Sequence, residues 1–490
     1  MMFIFANMKY KVSINNPTEH FIQIEGKIEN IKSQEVLLQL PAWRPGRYEL
    51  GNFSKNIRKF KAMDENGIEL HVRKTSKDCW KIINPTMLNS IIIHYEYYAN
   101  QLDAGACYLD ENQLYVNPVH CFMYQSENMK ESFEIELNIP DNYKIACQLS
   151  EKNKVLFAKD FQQLADSPFI ASEKLEKTSF SIENSTIHFW FNGAHNVNIE
   201  KLKENTISYA KKQVEIFEEL PCKEYHFLYQ MLPDAFRHGV EHEDSTVIAM
   251  GKREDETDEN FYDSLLAISS HEFFHLWNIK RIRPVEMWPY DFTKENYSTL
   301  GYVYEGITTY YGDLILLRSG IWNWEKYAAS FNGDLEKHLN NEGRFNYSVA
   351  ESSFDTWLDG YTQGIPARKV SIYFEGMLAA MIADLMIIKN SDAKFSLDNV
   401  MHDLYHDYYK NNKGYTESDY KNLLEKYAGI SFDSYFKDII WGKGKIEKYL
   451  EEYISLLSCS IFEKKIQRQI DVESNPFFVY WMNRKKCSTK

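Results

Sequence analysis

The period of the apolar residues changes partway along this chain, which restricts it to a β-rich part followed by a helical part. Through about residue 180 the apolar residues fall in short runs, rich in β-branched and aromatic side chains and often alternating. These are YKVSI from Tyr10, HFIQIEGKI from His20, EVLLQL from Glu35, IIIHYEYY from Ile91 and FEIELNI from Phe133. Asn15-Asn16-Pro17, Pro45-Gly46 and Pro140-Asp141-Asn142 separate them as turns. An antiparallel sandwich or a saddle-shaped sheet is expected. Two further strand-like runs, from Ile187 and Tyr225, lead into the second half. From Phe261 the spacing turns helical. Helices are expected over 261–279, with Asp258 as N-cap, over 299–318, and over 371–389, the last apolar on most faces and hence buried. Segments 397–410, 417–427 and 432–440 read as a helical bundle. The expected class is α+β and multidomain, with divisions near 180 and 455 and a C-terminal tail over 456–490.

Composition narrows the function classes. The 490 residues carry 56 basic and 70 acidic side chains, a net charge of −14, so a basic nucleic-acid surface is not expected. Aromatic residues reach 15%, with 33 tyrosines, enough for large cores. Seven cysteines without a CxxC pair give no disulfide framework and fit reducing conditions. No run of 18 apolar residues occurs, and the nearest, 376–388, is interrupted by Asp384. The start MMFIFANMKYK lacks the parts of a secretory signal. These features lead to the expectation of a cytoplasmic protein without an integral membrane segment; the oligomeric state is left open.

The sharpest chemical signal is His271-Glu272-Phe273-Phe274-His275. Histidines at i and i+4 lie on one helix face and can reach one metal. The intervening Glu272, about 100° around the helix, can reach a water on that metal and serve as general base. Three fixed letters recur by chance in about one of 8,000 windows, so context matters. The motif sits among Leu265, Leu266, Leu276 and Trp277, where two histidines and a glutamate are costly to bury without a partner. A catalytic zinc needs a third protein ligand. Glu305 opens the next helix, with Gly306 and Gly312 allowing close packing against its neighbour. Alone, Glu305 is equally an acidic residue favoured by the helix dipole; beside the motif it is the candidate ligand.

The longer run HEFFHLWNIKRIRP, from His271 to Pro284, resembles the signature of the M61 peptidases, the glycyl aminopeptidase family. Tyr304-Glu305-Gly306-Ile307-Thr308 and Pro41-Ala42-Trp43-Arg44-Pro45-Gly46-Arg47-Tyr48 resemble two more of its motifs. The resemblance implies a β-rich N-terminal domain followed by a thermolysin-like gluzincin domain. It also implies one Zn2+ per chain, held by His271, His275 and Glu305, with Glu272 as base.

Two further segments gain roles from the same likeness. His238-Gly239-Val240-Glu241-His242 resembles the family's Gly-x-Glu-His segment, implying that Glu241 holds the substrate's amino group and that Gly239 lets the backbone approach the peptide. Read alone it is an exposed acidic turn, since Glu243 and Asp244 follow. His238 and His242 are left out of the ligand set. Ser371-Ile372-Tyr373-Phe374-Glu375-Gly376 resembles a Tyr-x-Lys-Gly helix start, implying that Tyr373 stabilises the oxyanion, although Glu375 stands where Lys is usual. Tyr310 and Tyr311 are weaker rivals, or packing residues. Lys280, Arg281 and Arg283 read as a cationic helix end, with contact to a substrate carboxylate or to the N-terminal domain left open.

Many family members carry a PDZ-like module after the catalytic domain; the tail here is too short for one, so peptide capture by such a module is not expected. The implied function is a zinc aminopeptidase acting on peptides with a free N-terminus, removing small residues such as Gly or Ala. A zinc endopeptidase and a non-catalytic peptide-binding scaffold are the alternatives.

Overall fold

The structure, a computed structural model, describes residues 8–468 and 474–484. The first seven residues, on which the reading of the N-terminus partly rests, and the end of the tail lie outside them. The N-terminal region is built on a seven-stranded sheet in the order Ser150–Lys152, Val155–Ala158, Phe133–Asn138, Met8–Ser13, Phe21–Ile28, Ile91–Tyr98, Ile57–Met63. Neighbours run antiparallel except Met8–Ser13 and Phe133–Asn138, which pair parallel, a departure from the expected all-antiparallel sheet. The alternation in IIIHYEYY appears as alternate buried and half-buried residues. Smaller sheets of three and four strands complete this β-rich region.

A mixed five-stranded sheet follows, ordered Glu176–Ile182, Ser185–Asn192, Glu224–Met231, Ser245–Gly251, Phe236–Glu241. Its three middle strands are parallel. The crossover between the first two of these is the helix Ile199–Phe217, absent from the sequence reading although Leu202, Tyr209, Ala210, Val214 and Phe217 mark a buried face. Phe236–Glu241 is an edge strand, antiparallel to Ser245–Gly251.

The helices sit beside this sheet, and several bounds differ from expectation. The motif helix runs Asp258–Phe274, capped by the Thr257 hydroxyl on Asn260 N–H rather than by Asp258. It stops early because the amides of Leu276 and Trp277 bond back three residues and Ile279 takes φ +78°. The helix Ile307–Arg318 is preceded by a π-helical turn, Tyr302–Gly306. The expected 397–410 helix is Leu397–Asp403 followed by a second π turn, Leu404–Tyr408.

The core helix Phe374–Asn390 is buried at every residue from Glu375 to Ile388, as its apolar faces require. Asp384 inside it accepts hydrogen bonds from Tyr310 Oη (2.6 Å) and Leu397 N–H (2.9 Å) and pairs with Arg484. The tail forms the hairpin Cys459–Phe462/Lys465–Arg468 and the helix Pro476–Met482, whose Trp481 is fully buried and donates to Tyr310 Oη at 2.8 Å. Among the described residues no helix is long and apolar enough to cross a membrane.

The π turn and the core helix cross backbone to backbone. A Cβ on Gly306 would lie 2.5 Å from Gly376 Cα, and one on Gly376 would lie 2.8 Å from Gly306 Cα and 3.0 Å from Tyr302 Cα. Gly376→Ala therefore sets a helix-propensity gain of about 1 kcal/mol against an overpacking cost of about 1–3 kcal/mol or more, with backbone rather than a flexible side chain in the way. The clash is expected to win: Tm should fall, measured by thermal denaturation, while Gly333→Ala, which meets nothing within 4 Å, should not lower it.

Candidate active site

The motif helix lies along the edge strand and against the helix Ile307–Arg318, so one face looks into the space between them. There the structure brings His271, His275 and Glu305 together. His271 Nε2 and His275 Nε2 are 3.1 Å apart, and Glu305 Oε2 is 3.4 Å from His275 Nε2 and 4.0 Å from His271 Nε2. Gly312 permits this approach, since a Cβ there would lie 3.3 Å from His271 Cβ. Glu305 sits in the π turn, a feature concentrated at functional sites.

Asn278 holds the turn in place. Its fully buried amide donates to the carbonyls of Val303 (2.9 Å) and Tyr304 (3.2 Å) and to Thr308 Oγ1 (3.0 Å). Its own carbonyl accepts from His275 Nδ1 at 2.9 Å, which leaves the Nε2 lone pair facing Glu305 and His271. The Trp-Asn after the motif thus serves both the second histidine and the glutamate turn. Sequence reasoning gave Asn278 no role, and its position directly after the motif was the available signal.

Glu272 and Glu241 face the same space. Glu241 lies on the edge strand and is buried, not in an exposed turn as its acidic neighbours suggested. Gly239, two residues before it on the same strand face, is required by Glu272: a Cβ there would meet Glu272 Oε1 at 2.2 Å. One oxygen of each acid, Glu241 Oε1 and Glu272 Oε2, is buried without a hydrogen-bond partner among the described residues. Burial raises the pKa of Glu272 and of Glu305, with the neighbouring acids adding to it, while Glu305 draws His275 upward against burial and burial lowers His271. A cation at the centre would favour the deprotonated form of all four, reversing the shifts of Glu272, Glu305 and His275 and deepening that of His271. Two imidazole nitrogens, one carboxylate and an open side form a donor set that fits a catalytic divalent metal such as zinc.

The β-rich N-terminal region contributes to this wall, which the sequence did not reveal. Tyr48 Oη donates to Glu305 Oε1 at 3.3 Å. Gly46, at φ +78°, lets its turn close on Glu241, whose Oε2 lies 2.7 Å from where a Cβ would stand. Tyr373 lines the cleft, of about 720 Å3, together with His271, Glu272 and Gly239. Tyr310 and Tyr311 are occupied elsewhere, on Asp384 and Asp398 at 2.6 Å each.

The cations after the motif are inward rather than a solvated helix end. Lys280 pairs with Asp166 at 2.8 Å, which also accepts from His242 Nδ1 (3.0 Å) and Glu243 N–H (2.9 Å), and Arg281 pairs with Asp244 at 2.7 Å. Lys280 therefore contacts the N-terminal region. Glu375 has a partner too: His338 Nδ1 lies 2.5 Å from Glu375 Oε2, and His338 Nε2 lies 3.3 Å from Glu447 Oε1, which Arg344 also meets at 2.9 Å.

The sequence matches the model of the Peptidase M61 N-terminal domain over residues 9–173 and that of the M61 glycyl aminopeptidase over residues 264–379. Among curated proteins no match is found. Among solved structures, an aminopeptidase N family protein from Idiomarina loihiensis is similar at a TM-score of 0.86 and 28% identity, covering 93% of this chain and 79% of its own. An M1 zinc metallopeptidase from Deinococcus radiodurans shares the fold at a TM-score of 0.54 and 12% identity, over 89% of this chain and 93% of its own. A mutant M1 zinc metallopeptidase from the same organism, bound to a Tyr-Ser-Ala substrate, aligns at a TM-score of 0.52 and 12% identity, with the same shares covered.

The His338 cluster yields a pH test. Against the cost of burial, Glu375 and Glu447 raise His338 from 6.5 to about 9. A raised histidine stabilises the fold fully below pH 6.5 and loses that contribution as pH rises through about 9. Chemical denaturation should show stability falling across that window by up to about 3 kcal/mol, and His338→Gln should flatten the fall; an unchanged slope would refute the pairing.

The matches to both M61 models, on the two regions that meet at this cleft, show that the chain belongs to the M61 glycyl aminopeptidase family and is a metallopeptidase.

Proposed function

We propose that the chain is a zinc aminopeptidase that removes N-terminal residues, small ones such as glycine or alanine, from peptides with a free amino terminus. One observation carries the reading: two buried carboxylate oxygens, on Glu241 and Glu272, have no hydrogen-bond partner among the described residues and face a cluster of His271, His275 and Glu305. Buried acids of this kind call for cationic or proton-donating partners.

In this reading His271 Nε2, His275 Nε2 and a Glu305 oxygen hold one Zn2+ per chain. The bound ion supplies Lewis acidity, polarising the scissile carbonyl and acidifying a water. Glu272 takes the proton of the attacking water and passes it to the leaving amine; its burial favours holding a proton between the two steps. Glu241 accepts hydrogen bonds from the substrate ammonium. Tyr373 donates its hydroxyl to the carbonyl oxygen as negative charge grows there. Gly239 keeps Glu272 in place and leaves the edge-strand backbone bare beside the peptide.

The N-terminal region favours an aminopeptidase over an endopeptidase. The Pro45-Gly46 turn packs on Glu241, which supports a wall beside the amino-group position rather than room for a longer chain.

The test is zinc content together with hydrolysis of glycyl- and alanyl-anilides, with and without a chelator. One zinc at this centre and chelator-sensitive release from free but not N-acetylated substrates is expected. Glu272→Gln should keep this zinc and lower kcat by about 10²-fold or more; an active variant would refute the base. Glu241→Gln should keep it too and lower kcat/KM for free-amine substrates by about 10²-fold, the scale of a charge-assisted bond lost. Equal cleavage of acetylated peptides would refute Glu241 as the amine anchor.

A further inference from the structure

The spacing of the zinc motif occurs a second time, outside the cleft. His402-Asp403-Leu404-Tyr405-His406 again sets two imidazoles four residues apart on one helical face. The two rings stack with centroids 4.2 Å apart, where the helix Leu397–Asp403 passes into the π turn Leu404–Tyr408. Glu218, the left-handed residue that ends the helix Ile199–Phe217, brings Oε2 to 3.8 Å from His402 Nε2. One ligand atom from each of the three side chains lies within 4.8 Å of the others.

Hydrogen bonds at the far ring nitrogens decide whether such a cluster can bind a metal, because a ligating nitrogen must keep its lone pair. His402 Nδ1 lies 3.2 Å from Asp403 Oδ1, and a carboxylate only accepts, so the proton is on Nδ1. His402 Nε2 therefore carries the lone pair, and among the described residues it has no hydrogen-bond partner, on a side chain only 8% exposed. Asp403 is itself held by Lys426 Nζ (2.6 Å) and Tyr427 Oη (2.7 Å), the carboxylate–histidine arrangement that orients metal ligands.

His406 Nε2 lies 3.1 Å from the carbonyl of Phe217, so its proton is there and the Nδ1 lone pair is free. The C-terminal end of the helix Ile199–Phe217 adds a negative dipole end, which favours a cation.

The cluster of His188, Glu224 and His226 fails the same test. Trp190 Nε1, which can only donate, lies 3.1 Å from His226 Nδ1, so the proton of His226 sits on Nε2, toward Glu224.

We propose that Glu218, His402 and His406 bind a second divalent transition-metal ion of the zinc class, through a carboxylate oxygen, His402 Nε2 and His406 Nδ1. The ion clasps the end of the helix Ile199–Phe217 to the helical bundle. Two imidazoles and a carboxylate suit zinc or cobalt rather than calcium or magnesium. Joining segments this distant in sequence makes the role structural.

The experiment strips the full-length protein with a chelator, titrates it with Zn2+ alone, and counts zinc by elemental analysis after dialysis, with Tm recorded at each step. His406→Gln, at a half-buried position, should lose one bound zinc relative to wild type and lose the Tm increase that zinc gives, while anilide hydrolysis stays at the wild-type rate. His271→Ala should keep one zinc and that Tm increase, which separates this site from the proposed catalytic one. Zinc content and Tm response unchanged by His406→Gln would overturn the proposal.

Discussion

Three carboxylates are buried around one imidazole in this protein, and much of the structure can be read as the means of keeping them there. Glu241, Glu272 and Glu305 come from an edge strand, a helix and a π turn, and each adds to the cost of ionising another. Desolvating one carboxylate costs several kcal/mol, so no single element of ordinary stability could impose the arrangement. Rigid backbone on several sides does so. A Cβ on Gly46 or Gly239 would collide with Glu241 or Glu272, and one on Gly312 would crowd His271. Gly306 and Gly376 then fix the π turn to the core helix Phe374–Asn390, buried from Glu375 to Ile388.

The segment just after the motif helix is the second fixed point. At Ile279 the chain adopts φ +78° and leaves the helical course. The two cations that follow are buried, and each finds an acid: Lys280 meets Asp166 and Arg281 meets Asp244. Asn278 meanwhile donates to two carbonyls of the π turn, those of Val303 and Tyr304, and so ties the turn to the end of the motif helix. The segment from Asn278 to Arg281 therefore acts as a bracket: Asn278 holds the Glu305 turn, Lys280 the N-terminal region and Arg281 the sheet beside the motif helix. A role in substrate capture is not needed to account for it.

How much of this was legible beforehand follows from the range of each interaction. The His271–His275 pair could be read because the helical repeat fixes side chains four residues apart, whatever surrounds them. Glu305 could be placed near them, but its π turn could not, because the residues of a π turn are those of an α-helix. Glu241 was misplaced by its acidic neighbours when read alone: burial on an edge strand depends on the strand beside it and the helix above it, neither of which is local in sequence. Glu375 was flagged as a departure, yet its partner His338 lies 37 residues away, and Glu447, which shares that histidine, lies 72 residues away on another helix. The tail was counted only by length, and Trp481 and Arg484 prove to complete the core around Tyr310 and Asp384.

The β-rich region, finally, is not an appendage to a catalytic unit. Its Tyr48 supplies the hydroxyl on Glu305, its Gly46 turn stands against Glu241, and its Asp166 neutralises Lys280. Without those three contacts one carboxylate would lose a donor, a second would open to water and a buried ammonium would be left alone. The last of these is the most costly, since an unpaired buried charge outweighs the loss of one hydrogen bond by several-fold. The same contacts that shape the far wall of the cleft therefore also hold the fold together, and the geometry of the site is inseparable from the packing of the two regions against each other.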